Sequence, residues 1–347
     1  MRIASIAASV PQESISNKAM IQHIDQLNRA KFGDALTPVL HDLENMMARS
    51  GLRNRRFLQA DEPWFDHLER AVKQACQSTE TPIASVDCVI YASVFRTTLE
   101  PSMASLVANA LGIRRAMCFD VSEACSGWLR AASVAQAMLD SGTVKTVLLL
   151  TAEACGRWTG YGSDAFSFES LDDHTWSFAS MTVGSGFTAT LLQPSQSDWK
   201  FTWAADNSLA KLSLFPLMFP KGSDWQMGEL DAQGKRPGVF ACHTDSLYSS
   251  GWRQVARLIE SEKAALQNAA VFLPHANSYR PYVELGQKLA PDTPIVSVYP
   301  EWGNLVTSSI PAAICQAQEQ GQLQRGDDLF IAVPASGLSI GLASLTF

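Results

Sequence analysis

The feature that most restricts this chain is an alternation of short apolar runs with helical stretches, and the alternation occurs twice. Strand-like runs fall at Val86–Val94, Ala116–Val121, Val144–Thr151, Ala269–Leu273, Ile295–Tyr299 and Leu329–Val333. Between them, Pro101–Leu111 reads as a helix opened by its proline and stopped by Gly112. Gly127–Leu139 is apolar almost all round, as a helix buried between layers should be, and Pro311–Glu319 is stopped by Gly321. Strands that alternate with helices need crossover connections and therefore pair in parallel. A shift of 179 residues carries Gly142 onto Gly321 and Cys125 onto Asn304. A shift of 182 lays Val147–Thr151 on Leu329–Val333 and places Ser93 opposite His275. The chain thus reads as a duplicated α/β unit, residues 1–193 and 200–347. Ligands in such sheets bind beyond the carboxyl ends of the strands, where Cys125, His275 and Asn304 all fall.

Composition limits the function classes. With 347 residues, 46% of them hydrophobic, the chain has material for a large core. No apolar run approaches the roughly 18 residues that span a bilayer. The opening MRIASIAASVPQES reads as a first strand and turn rather than a signal peptide, so the expectation is a soluble, cytoplasmic protein without membrane partners. A formal charge of −7 with no Lys/Arg block argues against nucleic acid as a partner. The seven cysteines (Cys76, Cys88, Cys118, Cys125, Cys155, Cys242 and Cys315) are dispersed and contain no CxxC pair. That pattern suits neither a disulfide framework nor a zinc site, and most of them read as small buried hydrophobes.

Cys125 stands apart, in AMCFDVSEACSGWLRAASVAQAML. A strand enters a tight segment there, and a helix begins at or just after the cysteine. Backbone N–H groups and the helix dipole at such a point favour the thiolate. Ala124, Ser126 and Gly127 leave room for a substrate carbonyl. A buried structural cysteine is the competing reading, and position alone does not choose between them. Cys155, in TAEACGRW, also follows a strand but has no evident partner. His275, in VFLPHANSYR, is the histidine at a strand end in the repeated frame. His23, His41 and His67 lie in polar helical contexts and read as surface residues, and His174 reads as a loop residue. Asn304, in YPEWGNLVTSSIPAA, would by itself be a turn or helix cap.

Six strings in order resemble the β-ketoacyl-acyl-carrier-protein synthase III group of thiolase-fold condensing enzymes, nearly end to end. They are SGLRNRRF (Ser50–Phe57), EPSMASLVANALGI (Glu100–Ile113), FDVSEACSGW (Phe119–Trp128), PHANSYR (Pro274–Arg280), EWGN (Glu301–Asn304) and the ending PASGLSIGLASLTF. The resemblance implies a thiolase-like α/β fold of duplicated halves in five αβαβα layers, and an acyltransferase. It implies Cys125 as acyl-thioester nucleophile, His275 and Asn304 as its partners, and the N–H groups of Cys125 and Gly337 as an oxyanion hole. Substrates would be thioesters of coenzyme A or acyl carrier protein, with no further cofactor and no metal. Arg49 matches a coenzyme A contact, and a homodimer is implied. An acidic carrier needs a basic docking face, for which Arg280, Lys288, Arg253 and Arg257 are candidates; the plain alternative is a solvated helix face.

The departures are specific. The family usually reads His-Gln-Ala-Asn, but here Ser278 takes the fourth place of His275-Ala276-Asn277-Ser278. Asn45 stands where an adenine-stacking Trp is common, and Ser177 or a neighbour replaces a phosphate-binding Arg. The C-terminal glycine run is reduced to Ala335-Ser336-Gly337, Gly184-Ser185-Gly186 replaces Gly-Asp-Gly, and Glu123 puts a charge two residues before the nucleophile. These differences favour a specialised member, in fatty acid, polyketide or secondary metabolism, acting on a longer or carrier-bound acyl group. The leading expectation is condensation of an acyl-Cys125 with a malonyl-type or β-ketoacyl thioester. The alternatives are condensation of two acyl thioesters without decarboxylation, acyl transfer to an oxygen or nitrogen nucleophile, and a degenerate subunit of a heterodimer.

Overall fold

The runs CVIY (88–91) and VLLLTAE (147–153) are buried at every position, so the sheet they form must be covered on both faces. The computed structural model describes residues 1–59, 61–154, 166–197, 199–215 and 240–347. Its described strands in chain order are β1 (Arg2–Ser9), β2 (Ser14–Ser16), β3 (Asn54–Arg56), β4 (Cys88–Tyr91), β5 (Met117–Asp120), β6 (Val147–Glu153) and β7 (Gly186–Gln193). They continue with β8 (Lys200–Ala205), β9 (Ser213–Leu214), β10 (Ala241–Cys242), β11 (Val271–Pro274), β12 (Asp328–Ala335) and β13 (Ser339–Thr346). The first large sheet has the order β1-β7-β6-β4-β5 and the second β8-β13-β12-β11, while β2 with β3 and β9 with β10 form two-stranded ribbons.

Both sheets repeat one scheme. In the first, β1–β7 and β7–β6 are antiparallel, then β6–β4 and β4–β5 parallel. In the second, β8–β13 and β13–β12 are antiparallel and β12–β11 parallel, followed by one parallel bridge from Phe272 to Ile295. The apolar helices Gly127–Asp140 and Ser309–Glu319 lie between the sheets and touch both, and Trp128 is buried among them. Helices Trp64–Ser78 and Met103–Ala110 cover the outer face of the first sheet. Thr244–Ser261, Lys263–Asn268 and Arg280–Leu289 cover the second. The result is the expected α/β fold, with helix, sheet, helix, sheet and helix stacked in five layers. No described helix is long and apolar enough to cross a membrane.

Four local expectations need correction. Ile295–Tyr299 is not a strand beyond the single bridge at Ile295, because Pro294 cannot donate to a ladder and Pro300 opens a short helix, Tyr299–Trp302. The helix expected from Pro101 begins at Met103, where Ser102 Oγ accepts the Ser105 N–H. His67 is buried, not at the surface; its ring lies 2.8 Å from Ser9 Oγ and 2.6 Å from the Glu62 carboxylate, stacked on Phe187. His174 opens a helix, His174–Thr182, rather than lying in a loop.

Segments distant in the chain meet at backbone level around Asn304. Its N–H donates to the Thr182 carbonyl at 2.8 Å and its carbonyl accepts the Gly184 N–H at 2.9 Å. The preceding Gly303 has φ +78, and a Cβ there would stand 2.6 Å from the Thr182 oxygen and 2.8 Å from Arg55 Cβ. Gly303→Ala should therefore lower stability by about 1–3 kcal/mol, the scale of local backbone strain. Urea unfolding checks this; a parental midpoint would show that the junction yields freely.

Candidate active site

Cys125 sits in a single turn of 3-10 helix, Ala124–Ser126, which links β5 to the helix Gly127–Asp140. Ala124 adopts φ +43, a left-handed conformation that costs a non-glycine residue energy. Ser126 Oγ donates to the Val333 carbonyl of β12 at 3.1 Å and ties this turn to the second sheet. His275 follows β11, with its N–H on the Ala332 carbonyl at 2.8 Å. Asn304 follows the short helix Tyr299–Trp302, and its Oδ1 accepts the Val306 N–H at 2.8 Å. The amide NH₂ is therefore the end of Asn304 left for a ligand.

These three side chains meet at one place. Cys125 and Asn304 border two cavities of about 410 and about 540 Å³, and His275 borders the larger. The smaller cavity is walled by Val94, Phe95, Val183, Phe215, Phe240 and Val306. The larger one includes Arg49, Ser278 and Arg280. Gly337 has φ +92 in the turn between β12 and β13, and its neighbours Ser336 and Leu338 face the larger cavity. Among the described residues, the Gly337 N–H has no hydrogen-bond acceptor, and the Cys125 N–H meets only its own sulfur.

The electrostatics depart from the expectation for the thiol. Burial, and then the nearby Glu153 and Cys242, push Cys125 up to about 12, so the site favours the thiol over the thiolate. The positive end of the following helix does not outweigh those groups. Burial also takes His275 down to about 3, which makes it a neutral imidazole. It is 1% exposed, and neither ring nitrogen has a hydrogen-bond partner among the described residues. Buried polar groups are normally paired, so these nitrogens are available to a molecule in the cavity.

Of the proposed docking cations, Arg280 borders the larger cavity, while Arg253, Arg257 and Lys288 are exposed on the surrounding helices and do not. Asn45 is exposed and bonded to His41 at 3.1 Å, and Ser177 is buried away from both cavities. Cys155 lies outside the described residues. Glu123 is no misfit: Arg130 and Ser339 both donate to its carboxylate.

Sequence reading passed over three features. Glu153 ends β6 beside Cys125 and Asn304 in the smaller cavity, and a carboxylate closing an apolar strand at the ligand edge was a usable signal. Arg55 is fully buried and donates to the Met181 and Ile15 carbonyls and to Asn17 Oδ1, under the loop that holds Asn304. Tyr248 and Trp252 stack at 5.7 Å beside the larger cavity, an i, i+4 aromatic pair on one helix face.

With its thiol raised, Cys125 should be alkylated by iodoacetamide at a rate that climbs about tenfold per pH unit from pH 6 to 9, following the thiolate fraction. A plateau below pH 8 would mean that the protein already stabilises the thiolate. The His275 shift has the opposite reach. The unfolded chain binds a proton there below about 6.5, and the folded chain only near 3. Its contribution to stability should therefore fall as pH drops through that window.

The profile of the 3-oxoacyl-[acyl-carrier-protein] synthase III family matches residues 119–206, and the C-terminal profile of the same family matches 259–347. The β-ketoacyl-[acyl-carrier-protein] synthase III of Helicobacter pylori (strain Shi470) is 25% identical over 350 residues, covering 99% of this chain and 97% of the relative. That of Clostridium perfringens (strain 13 / Type A) is 25% identical over 313 residues, covering 86% and 89%. Among solved structures, Xanthomonas campestris OleA with bound lauric acid and lauroyl-CoA superposes with a TM-score of 0.80 at 20% identity, covering 99% of this chain and 98% of that one. The Aquifex aeolicus 3-oxoacyl-[acyl-carrier-protein] synthase III gives 0.75 at 20% identity, covering 100% and 99%.

Proposed function

Since the chain belongs to the 3-oxoacyl-[acyl-carrier-protein] synthase III family of thiolase-fold condensing acyltransferases, we propose that it loads an acyl group onto Cys125 and condenses it with a malonyl-type or β-ketoacyl thioester. The observation that carries this reading is the convergence on one site of the Cys125 thiol, the neutral unpaired His275 and the Asn304 amide. In loading, the sulfur attacks the carbonyl of a coenzyme A or carrier-protein thioester. The N–H groups of Cys125 and Gly337 receive the oxyanion, and the donor thiol departs with the proton. In condensation, a malonyl-type extender loses CO₂ while His275 and Asn304 donate to its thioester carbonyl. The resulting carbon nucleophile attacks the acyl-Cys125, a C–C bond forms, and the Cys125 sulfur is released. A neutral imidazole keeps one N–H for this donation.

The apolar cavity of about 410 Å³ supports an acyl group longer than acetyl, since clefts of roughly 300–1,000 Å³ hold ligands of drug size. The lauroyl ligand described for the Xanthomonas structure points the same way. A specialised role in fatty acid, polyketide or secondary metabolism in the cytoplasm fits this, with Arg49 toward coenzyme A and Arg253, Arg257, Arg280 and Lys288 toward a carrier. We take residues 1–193 and 200–347 as duplicated halves, for which the shared strand order is the support. We also take the chain as a homodimer across β5. Among the described residues that strand is unpaired on one side, and Leu99, Leu106 and Met117 are exposed apolar residues in the same region. Light scattering at micromolar concentration should give twice the chain mass, and a monomer would count against that interface.

Acyl transfer to an alcohol or amine is the second reading, and the unpaired His275 nitrogens favour it, because either could take the acceptor's proton. Intact mass after exposure to acetyl-, hexanoyl- and lauroyl-CoA and their carrier-bound forms is the test. An adduct should map to Cys125 and vanish in Cys125→Ala. His275→Ala and Asn304→Ala should each lose condensation product by at least about a hundredfold, the scale for such donors, while acyl-enzyme accumulates. Near-normal turnover in Asn304→Ala, with no CO₂ released from any malonyl donor, would select acyl transfer. No adduct from any donor would select a non-catalytic partner subunit.

A further inference from the structure

The nucleophile turn and the turn that carries Gly337 come from opposite halves of the chain, and both hold left-handed non-glycine backbone. Ala124 has φ +43 and Leu338 φ +26. Conformations of this kind persist only where the surroundings over-determine them. Ser122 and Ala124 border the smaller cavity, whereas the intervening Glu123 is directed the other way. Its Oε2 accepts Arg130 Nε and its Oε1 accepts Arg130 Nη2 at 2.9 Å. The same Oε1 accepts Ser339 Oγ at 2.6 Å. Arg130 in turn sits over Trp203, with its guanidinium carbon 3.4 Å from the ring centroid, and Trp203 pairs with Gly341 on β13. Glu123 stands two residues before Cys125, and Ser339 stands two residues after Gly337. One carboxylate therefore connects the two segments that offer free N–H groups to the cavity.

We propose that Glu123, through Ser339 and Arg130, is a positioning residue that sets the separation and aim of the Cys125 and Gly337 N–H groups. This rests on the reading of Cys125 as an acylated nucleophile. Glu123 borders neither cavity and so does not touch substrate; it acts through the two turns. A carboxylate serves here because both of its oxygens accept, and Arg130 and Ser339 together direct three donors at them. A Gln of equal size has one acceptor oxygen and presents N–H groups where donors already stand. Donors that stabilise an oxyanion must be placed to within a fraction of an ångström, and misplacement by about 1 Å can cost on the order of a hundredfold.

The test compares two reactions at the same sulfur. Acylation by a thioester passes through an oxyanion and needs both N–H groups, whereas alkylation by iodoacetamide does not. Full-length parent, Glu123→Gln, Ser339→Ala and the double variant are assayed with iodoacetamide and with whichever of acetyl-, hexanoyl- and lauroyl-CoA labels the parent fastest. Acylation should fall by about tenfold to a hundredfold in each single variant, with alkylation within about twofold of the parent. The double variant should be no slower than Glu123→Gln, since both changes break one connection, and Ser339→Thr should restore most of the rate. Ser339→Ala keeps the Arg130 pair, which protects the test should Glu123→Gln fold poorly. Acylation within twofold of the parent in Ser339→Ala, or alkylation falling in step with acylation, overturns the positioning role alone. A parent that is alkylated at Cys125 but acylated by none of the donors overturns the acyl-enzyme reading, and this role with it.

Discussion

Glu153 ends β6 inside the protein, 1% exposed, and accepts hydrogen bonds from the Val94 N–H at 3.0 Å, the Phe95 N–H at 3.1 Å and the Thr307 hydroxyl at 2.5 Å. Two of those partners belong to the first half of the chain and the third to the second half. Apolar packing between the central helices and the sheets holds the layers together, but it is non-directional and tolerates sliding. A buried carboxylate with fixed donors does not. Burial pushes Glu153 up to about 7 even against those hydrogen bonds, so its desolvation cost outweighs its partners and the group lies between acid and carboxylate near neutral pH. Beside it Thr151 Oγ1 lies 2.8 Å from Ser308 Oγ and 2.5 Å from Thr188 Oγ1, which extends a polar seam through the apolar core. Val94 and Phe95 wall the smaller cavity, and Thr307 follows Asn304 by three residues, so this seam fixes the cavity wall relative to the Asn304 side chain.

The same carboxylate opposes a charge on Cys125, and that changes where rate acceleration must come from. A site that favours the neutral thiol gains little from ground-state nucleophilicity. On the proposed chemistry it must act on the charge that appears later, at the carbonyl oxygen, through the N–H groups of Cys125 and Gly337 and then through His275 and Asn304. All four donors are neutral, and none needs to gain or lose a proton to be ready. Burial that raises a thiol and lowers an imidazole is thus consistent with one strategy: exclude water, and let fixed dipoles do what ions would do elsewhere.

The parts of this arrangement that sequence could reveal are those set by local pattern. Uninterrupted apolar runs gave β4, β6, β11 and β12, and the shift between halves singled out Cys125, His275 and Asn304 before any family likeness was needed, although Asn304 follows a short helix rather than a strand. β8 and β13 were passed over because they carry Ser, Thr, Lys and Gly among their apolar residues and fit no buried-strand pattern. Ile295–Tyr299 failed because two prolines overrode a β-branched run. His67 was misplaced because a polar helical context says nothing about which strand the helix will cover. The acidity of Cys125 was misjudged for a related reason. Its helix terminus is local and visible, whereas Glu153 and Cys242 approach only in the folded chain. Glu123 was visible as an anomaly, and Arg130, one helix turn pair further on, could have been guessed as its partner. Ser339 could not.

Strain and its restraint are distributed in a way that links these observations. Among the described residues, four that are not glycine have positive φ: Glu80, Ala124, Val306 and Leu338. The last three all border the cavities around Cys125. Each adjoins a restraint from a distant part of the chain. Ala124 follows Glu123, Leu338 precedes Ser339, and Val306 precedes Thr307, whose hydroxyl is held by Glu153. Each such conformation costs of order 1–3 kcal/mol and would relax if unopposed. On the proposed roles, two carboxylates, one half-buried and one fully buried, hold three strained turns that border a shared space. Isolated charges beside an apolar cavity would be a liability for stability alone. Tied to turns that would otherwise relax, they would keep the proposed donors preorganised beside the cavities.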